Sequence, residues 1–191
     1  MVSTIEVAVA AIRQGRIIGL PTDTVYGIGA DPMRYSAVEQ LFAAKQRPEI
    51  NPIPILGATI EALRNVALID PDIGSLAERY WPGALTLILR RATGVPDWVG
   101  DEVRDTVGVR IPDHPVALEV LDAVGPLAVT SANRSAGEPT NDAAAAESAL
   151  GASVGAYLPG SAGGGLASTV VDLSGERPRI LRVGPVEWMG E

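Results

Sequence analysis

Short β-branched runs alternate with longer stretches of helical period along this chain, and that alternation predicts an α/β fold. Residues 5–14, preceded by Ser3 and Thr4 and followed by Gly15, have the form of a capped helix, and residues 16–20 (RIIGL) that of a first buried strand. Ser36 and Glu39 make a candidate capping box at the head of the helix SAVEQLFAAK. Asp70-Pro71 marks another helix start, with Ile73, Leu76, Ala77 and Tyr80 falling on one face at i, i+3, i+4, i+7. Strands are predicted over 85–89, 107–111 and 127–130, with a helix over 116–124 before the last, stopped by Gly125. A helix near 142–150 and strands over 155–158, 169–173 and 179–183 complete the series. With no internal repeat and no linker, one domain over residues 1–191 is expected.

Composition narrows the chemistry. The chain has no cysteine and one histidine, which excludes a disulfide framework, thiolate catalysis and Cys-ligated zinc. Any metal is therefore expected to be a hard, oxygen-bound ion. The uncharged run 148–171 is long enough to span a bilayer, but its six glycines and Pro159 leave no sustained apolar stretch, so it predicts a loop-rich segment. Glu6 and Arg13 fall where a signal peptide needs an apolar core, and a cytoplasmic protein is expected. A net charge of −8 opposes the continuous basic footprint of a protein that grips nucleic-acid backbone. Lys45 is the only lysine among 15 basic residues, so a lone ammonium invites a reason.

Common nucleotide fingerprints are missing: there is no G-x-x-x-x-G-K-[ST], and Gly27-Ile28-Gly29-Ala30 lacks the third glycine of a dinucleotide-binding turn. Polar residues gather instead at predicted strand ends, around Thr22-Asp23-Thr24, Lys45 to Asn51, Thr106 to Arg110, Thr130 to Asn133 and Ser168-Thr169, where the crevice of an α/β sheet collects ligands. Lys45 and Arg47 suit a polyphosphate, as point charge and planar fork, and equally suit the end of a helix as cations favoured by its dipole. Arg110 either faces a carboxylate in the crevice or makes an ordinary surface ion pair. Ser131 and Asn133 share a face if extended and can bond a phosphate or ribose, although Ser-Ala-Asn is also a common turn. His114, between two prolines, reads as a helix-start residue rather than a base. The run Gly163 to Gly165 reads as a flexible loop, or as backbone that lets a ligand come close.

Taken in order, PTDTVYGIG, AKQRP with NP, WPGALT, VGVRIPDHP, TSAN and STVVD resemble the YrdC-like threonylcarbamoyl-AMP synthases, from about Arg16 to Pro185. The resemblance implies the YrdC-like fold, a twisted mixed β-sheet flanked by helices around a large, mostly electropositive cavity. It implies a cytoplasmic enzyme that combines L-threonine, bicarbonate or CO2 and ATP, with Mg2+, to give threonylcarbamoyl-adenylate and pyrophosphate. That product feeds a downstream tRNA threonylcarbamoyl-transferase complex that makes N6-threonylcarbamoyladenosine. Carried over motif by motif, Lys45, Arg47, Asn51, Thr106, Ser131, Asn133 and Arg182 would contact ATP, with Lys45 and Arg47 neutralising charge in the reaction. Thr24, Arg110, Val129 through its backbone, and Ser168 would hold threonine. Some members carry a histidine where this chain has Leu56, and longer members append a second domain. Related domains in hydrogenase-maturation carbamoyltransferases accompany zinc fingers, which a cysteine-free chain cannot build. The alternative from another class is a non-catalytic module that binds tRNA or double-stranded RNA.

Overall fold

A computed structural model describes residues 4–45, 52–133 and 140–189. Its elements are α1 (Thr4–Arg13), β1 (Ile18–Leu20), β2 (Gly27–Ala30), α2 (Tyr35–Lys45), β3 (Ile55–Leu56), α3 (Ile60–Leu63), α4 (Pro71–Ala77), β4 (Leu85–Arg90), β5 (Thr106–Arg110), α5 (Pro115–Val124), β6 (Leu127–Ser131), α6 (Ala143–Leu150), β7 (Ala156–Tyr157), β8 (Thr169–Asp172) and β9 (Arg179–Arg182). The strands form one mixed sheet in the order β7-β1-β2-β6-β3-β5-β4-β8-β9. The expected mixed sheet flanked by helices is thus present.

Register explains how the site arises. Side chains alternate across a strand, so the pairs Gly29↔Val129, Leu56↔Leu127, Leu56↔Arg110, Ile88↔Gly108, Thr86↔Val170 and Val170↔Arg182 all lie on one face of the sheet. Over the β1, β2 and β6 half of that face, α1 and α5 press Ala8, Ala11, Ile12, Ala117, Val120 and Leu121 onto Ile18, Leu20, Leu127 and Val129 in a closed apolar cluster. The β5, β4, β8 half of the same face instead carries Thr86, Gly108 and Arg110 into a concavity. On the opposite face Ile28, Ala30, Ile55, Leu87, Leu89, Val107 and Val109 join the larger core with Ala37 and Leu41 of α2.

Local chemistry sets the helix ends. Asp70 caps α4 by accepting from the N–H of Ile73 at 2.8 Å, with Pro71 in the first turn, as the sequence predicts. The helix is short, however, and Tyr80 lies beyond its end. Gly125 closes α5 with φ 84°. The Ser36 and Glu39 capping box does not form, because α2 already starts at Tyr35, which puts Ser36 inside the helix. The turn at Asp31 prepares that earlier start, its carboxylate accepting from Met33 N–H at 2.9 Å. Among the described residues, no helix is long and apolar enough to cross a membrane.

Candidate active site

The half-covered face holds a cavity of about 300 Å³, at the small end for a ligand site. Its lining includes Thr22, Thr24, Thr86, Ser131, Ser168 and the guanidiniums of Arg110 and Arg182, with Leu56, Ile88, Val129 and Val170 as its apolar wall. Among the described residues, no carboxylate lines it. A site with this lining suits an anionic or zwitterionic ligand that also presents a small apolar group.

Arg110 ends β5 and is 5% exposed, so the surface ion pair is not its setting. Its Nε donates to Gly83 O at 2.8 Å, its Nη1 to Thr24 Oγ1 at 2.9 Å and its Nη2 to Asp23 in a close ion pair. Three partners in three directions fix the guanidinium, and two of its five N–H groups, one on each terminal nitrogen, are left for a ligand. Burial lowers the guanidinium's pKa, and the charge and hydrogen bond of Asp23 work against that.

Thr24 is set by its neighbours. The Thr22 hydroxyl donates to Val25 O at 2.7 Å, so the 3.0 Å contact between the two threonine hydroxyls has Thr24 as donor. With its proton given to Thr22 and one lone pair taken by Arg110, Thr24 faces the cavity as an acceptor only. This loop is clamped from outside by the glycine run, where Gly163 N donates to Thr22 O at 3.0 Å and Gly165 N to Thr24 O at 2.7 Å. A Cβ on Gly163 would stand 3.0 Å from Asp23 O. The run thus holds the loop by two backbone hydrogen bonds, although its three glycines are themselves exposed.

A second cluster forms where α2 ends. Lys45 is 4% exposed, and its Nζ donates to Ser131 O at 2.5 Å, Ser131 Oγ at 3.1 Å, Asn133 O at 3.1 Å and Asn133 Oδ1 at 3.2 Å. Its ammonium thus reaches across to the end of β6, which is more than a helix-end cation does. Beyond the strands, Ser168 Oγ lies 2.8 Å from Thr86 Oγ1 and accepts from Arg182 Nη2 at 3.1 Å, while Arg182 Nε holds Ser168 O at 2.8 Å. Burial lowers the Arg182 pKa as well.

The structure brings Thr24, Arg110, Val129, Ser131, Ser168 and Arg182 to one cavity, with Lys45 and Asn133 bonded to its margin. The Val129 N–H is committed to Pro54 O at 3.0 Å, and proline has no N–H to return to the Val129 carbonyl. Thr106 is not part of the lining: it shares the face of Arg110 but stands at the far end of β5, about 13 Å away along the strand. Arg47 and Asn51 lie outside the described residues. Sequence reasoning missed Thr86 and Asp23. A single hydroxyl in the apolar strand LTLIL was the available signal for the first; the second showed only as a carboxylate between two threonines.

A mixed sheet with one half-covered face and an arginine-lined cavity defines an α/β protein with a site suited to a small polar ligand. The profile of the Sua5/YciO/YrdC family, described as telomere recombination, matches residues 10–184, and the chain belongs to that family. A Mycobacterium tuberculosis protein provisionally named as a threonylcarbamoyl-AMP synthase is 44% identical over 181 residues, which span 94% of this chain and 83% of its own. The crystal structure of Pyrococcus abyssi Sua5 complexed with L-threonine superposes with a TM-score of 0.88 at 36% identity, covering 94% of this chain and 54% of that one. Escherichia coli YciO gives a TM-score of 0.85 at 26% identity over 96% of this chain and 90% of its own.

Proposed function

We propose that the protein is an L-threonylcarbamoyladenylate synthase, a nucleotidyltransferase that forms threonylcarbamoyl-AMP and pyrophosphate from L-threonine, bicarbonate or CO2, and ATP. The observation that carries the proposal is Arg110, buried in the cavity wall with two N–H groups uncommitted, in a fold whose P. abyssi member was crystallised with L-threonine. In this reading Arg110 takes the amino-acid carboxylate, and Thr24, Val129 and Ser168 complete the threonine site. Lys45, Arg47, Asn51, Ser131, Asn133 and Arg182 serve ATP. The threonine amine adds to CO2 and loses a proton to give a carbamate. A carbamate oxygen then attacks the α-phosphorus of ATP, and the bond to the bridging oxygen breaks with release of pyrophosphate.

No protein nucleophile is needed for these steps. Positioning and charge neutralisation suffice, which suits a site built of cations, hydroxyls and an amide. Among the described residues, no group of three or more His, Cys, Asp or Glu is placed to hold a metal ion, so the Mg2+ of this reading is carried by the phosphates of ATP. The work is placed in the cytoplasm, with the adenylate passed to a tRNA threonylcarbamoyl-transferase complex. The deciding experiment is pyrophosphate release with mass-spectrometric detection of the adenylate. Release is expected only with threonine and bicarbonate together, and equal release in CO2-scavenged buffer with threonine alone would refute the reaction.

A further inference from the structure

The carboxylate that neutralises Arg110 stands outside the cavity. Asp23 is not part of the lining, and its side chain, 15% exposed, meets the site through its ion pair with Arg110 Nη2. Its place is rigid. The loop that carries it is knotted by the Thr22 hydroxyl and buttressed by Gly163 and Gly165. The corner therefore combines one cation and one anion with uncommitted donors on Arg110 and an uncommitted acceptor on Thr24. The two charges offset each other at this corner, while Arg182 is a second cation of the same cavity and repels Arg110.

We propose that Asp23 is a specificity-determining residue: by neutralising Arg110 it makes this corner select a zwitterionic α-amino acid over a carboxylate that lacks the amino group. The inference rests on the reading of the cavity as an amino-acid site. A zwitterion offers a carboxylate to the Arg110 N–H groups and an ammonium, two bonds from the carboxyl carbon, to the Thr24 acceptor and the negative field of Asp23. A simple carboxylate makes the Arg110 contact but leaves the Thr24 acceptor and the negative field of Asp23 without an ammonium. Charges a few ångströms apart in a partly buried site interact strongly enough to decide between such ligands.

The test is calorimetric titration of the full chain with L-threonine and with 2,3-dihydroxybutanoate of matching configuration, in which a hydroxyl replaces the ammonium, without ATP. The unaltered protein is expected to bind threonine at least tenfold more tightly. In Asp23→Asn, which keeps an acceptor for Arg110 but removes the charge, threonine binding should weaken while the analogue's is kept or improved, so that the preference falls by at least tenfold. A loss of both ligands by the same factor would make Asp23 a purely structural partner of Arg110 and overturn the proposal. Equal binding of the two ligands by the unaltered protein would overturn it without any variant, even if Asp23→Asn fails to fold. Absence of threonine binding to the unaltered protein, by contrast, would remove the amino-acid site itself and the inference with it.

Discussion

The ammonium of Lys45 lies 3.1 Å from the hydroxyl oxygen of Ser131, 86 residues away in the chain. This contact joins the end of α2 to the end of β6 and puts the chain's only lysine at the margin of the cavity. Lys45→Ala should leave the Ser131 and Asn133 carbonyls without this donor, at a cost of about 1–3 kcal/mol of stability. If the ammonium also neutralises a leaving pyrophosphate, the same variant should lose at least tenfold in kcat/KM for adenylate formation, about 1.4 kcal/mol, and should lose the rise in Tm that ATP gives the unaltered protein. Lys45→Arg should recover stability better than activity, since a planar fork does not replace an ammonium. Full activity in a destabilised Lys45→Ala would leave this lysine with a structural role alone.

Tyr26 ties the loop before β2 to the far edge of the sheet. It is fully buried, and its hydroxyl donates to Leu158 O at 2.6 Å. Tyr26→Phe should therefore cost about 1–3 kcal/mol in urea unfolding, because a buried carbonyl loses its donor. Burial, with smaller contributions from Tyr157 and Asp142, holds the phenol pKa well above its ordinary value. Since the folded pKa is the raised one, the stabilisation is complete below pH about 10 and is lost as pH climbs above it. The stability gap between the two proteins should accordingly narrow in strongly alkaline buffer, and a gap that stays constant there would contradict the assignment.

The legible parts of this fold are those where a local pattern and the tertiary structure agree. Long periodic helices such as α1 and α5, and apolar strands such as β4, β5 and β8, fall where hydrophobic period places them. By contrast β2 is the tetrapeptide GIGA, whose glycines carry no side-chain pattern and which is a strand because β1 and β6 pair with it from both sides. The two-residue β3 owes its place to β5 and β6 in the same way. Lys45, Arg110, Ser131 and Asn133 stood out by residue type and spacing. Asp23 and Thr86 did not, because each acts on a partner more than 60 residues away.

Thr169 clasps the C-terminal segment to the sheet. Its hydroxyl donates to Val186 O at 2.7 Å and accepts from the N–H groups of Gly184 at 3.0 Å and Val186 at 3.1 Å. Gly184 packs so closely that a Cβ there would stand 2.4 Å from Thr169 N. Thr169→Val keeps the shape and removes the clasp, so amide exchange at Gly184 and Val186 should accelerate at least tenfold. Gly184→Ala should go further and displace the adjoining Arg182 from Ser168, lowering adenylate formation. Unchanged exchange in Thr169→Val would mean that other contacts hold the segment.

Discrimination against serine follows from the apolar wall. Leu56, Ile88, Val129 and Val170 line the same cavity as Arg110 and Thr24, so a threonine anchored by its carboxylate has aliphatic carbon available for its methyl. Serine keeps the carboxylate, amine and hydroxyl and loses only that methyl. One buried methyl is worth about 1–3 kcal/mol in a hydrophobic pocket, which predicts a kcat/KM for serine roughly 10- to 200-fold lower. Leu56 is 4% exposed and part of the cavity lining, so it is the informative place to remove part of the wall. Leu56→Ala should lower activity with threonine more than with serine and shrink the ratio between them. Competing the two amino acids in one reaction and weighing the adenylates by mass spectrometry measures that ratio directly. Equal yields from the unaltered protein would show that the wall does not touch the substrate.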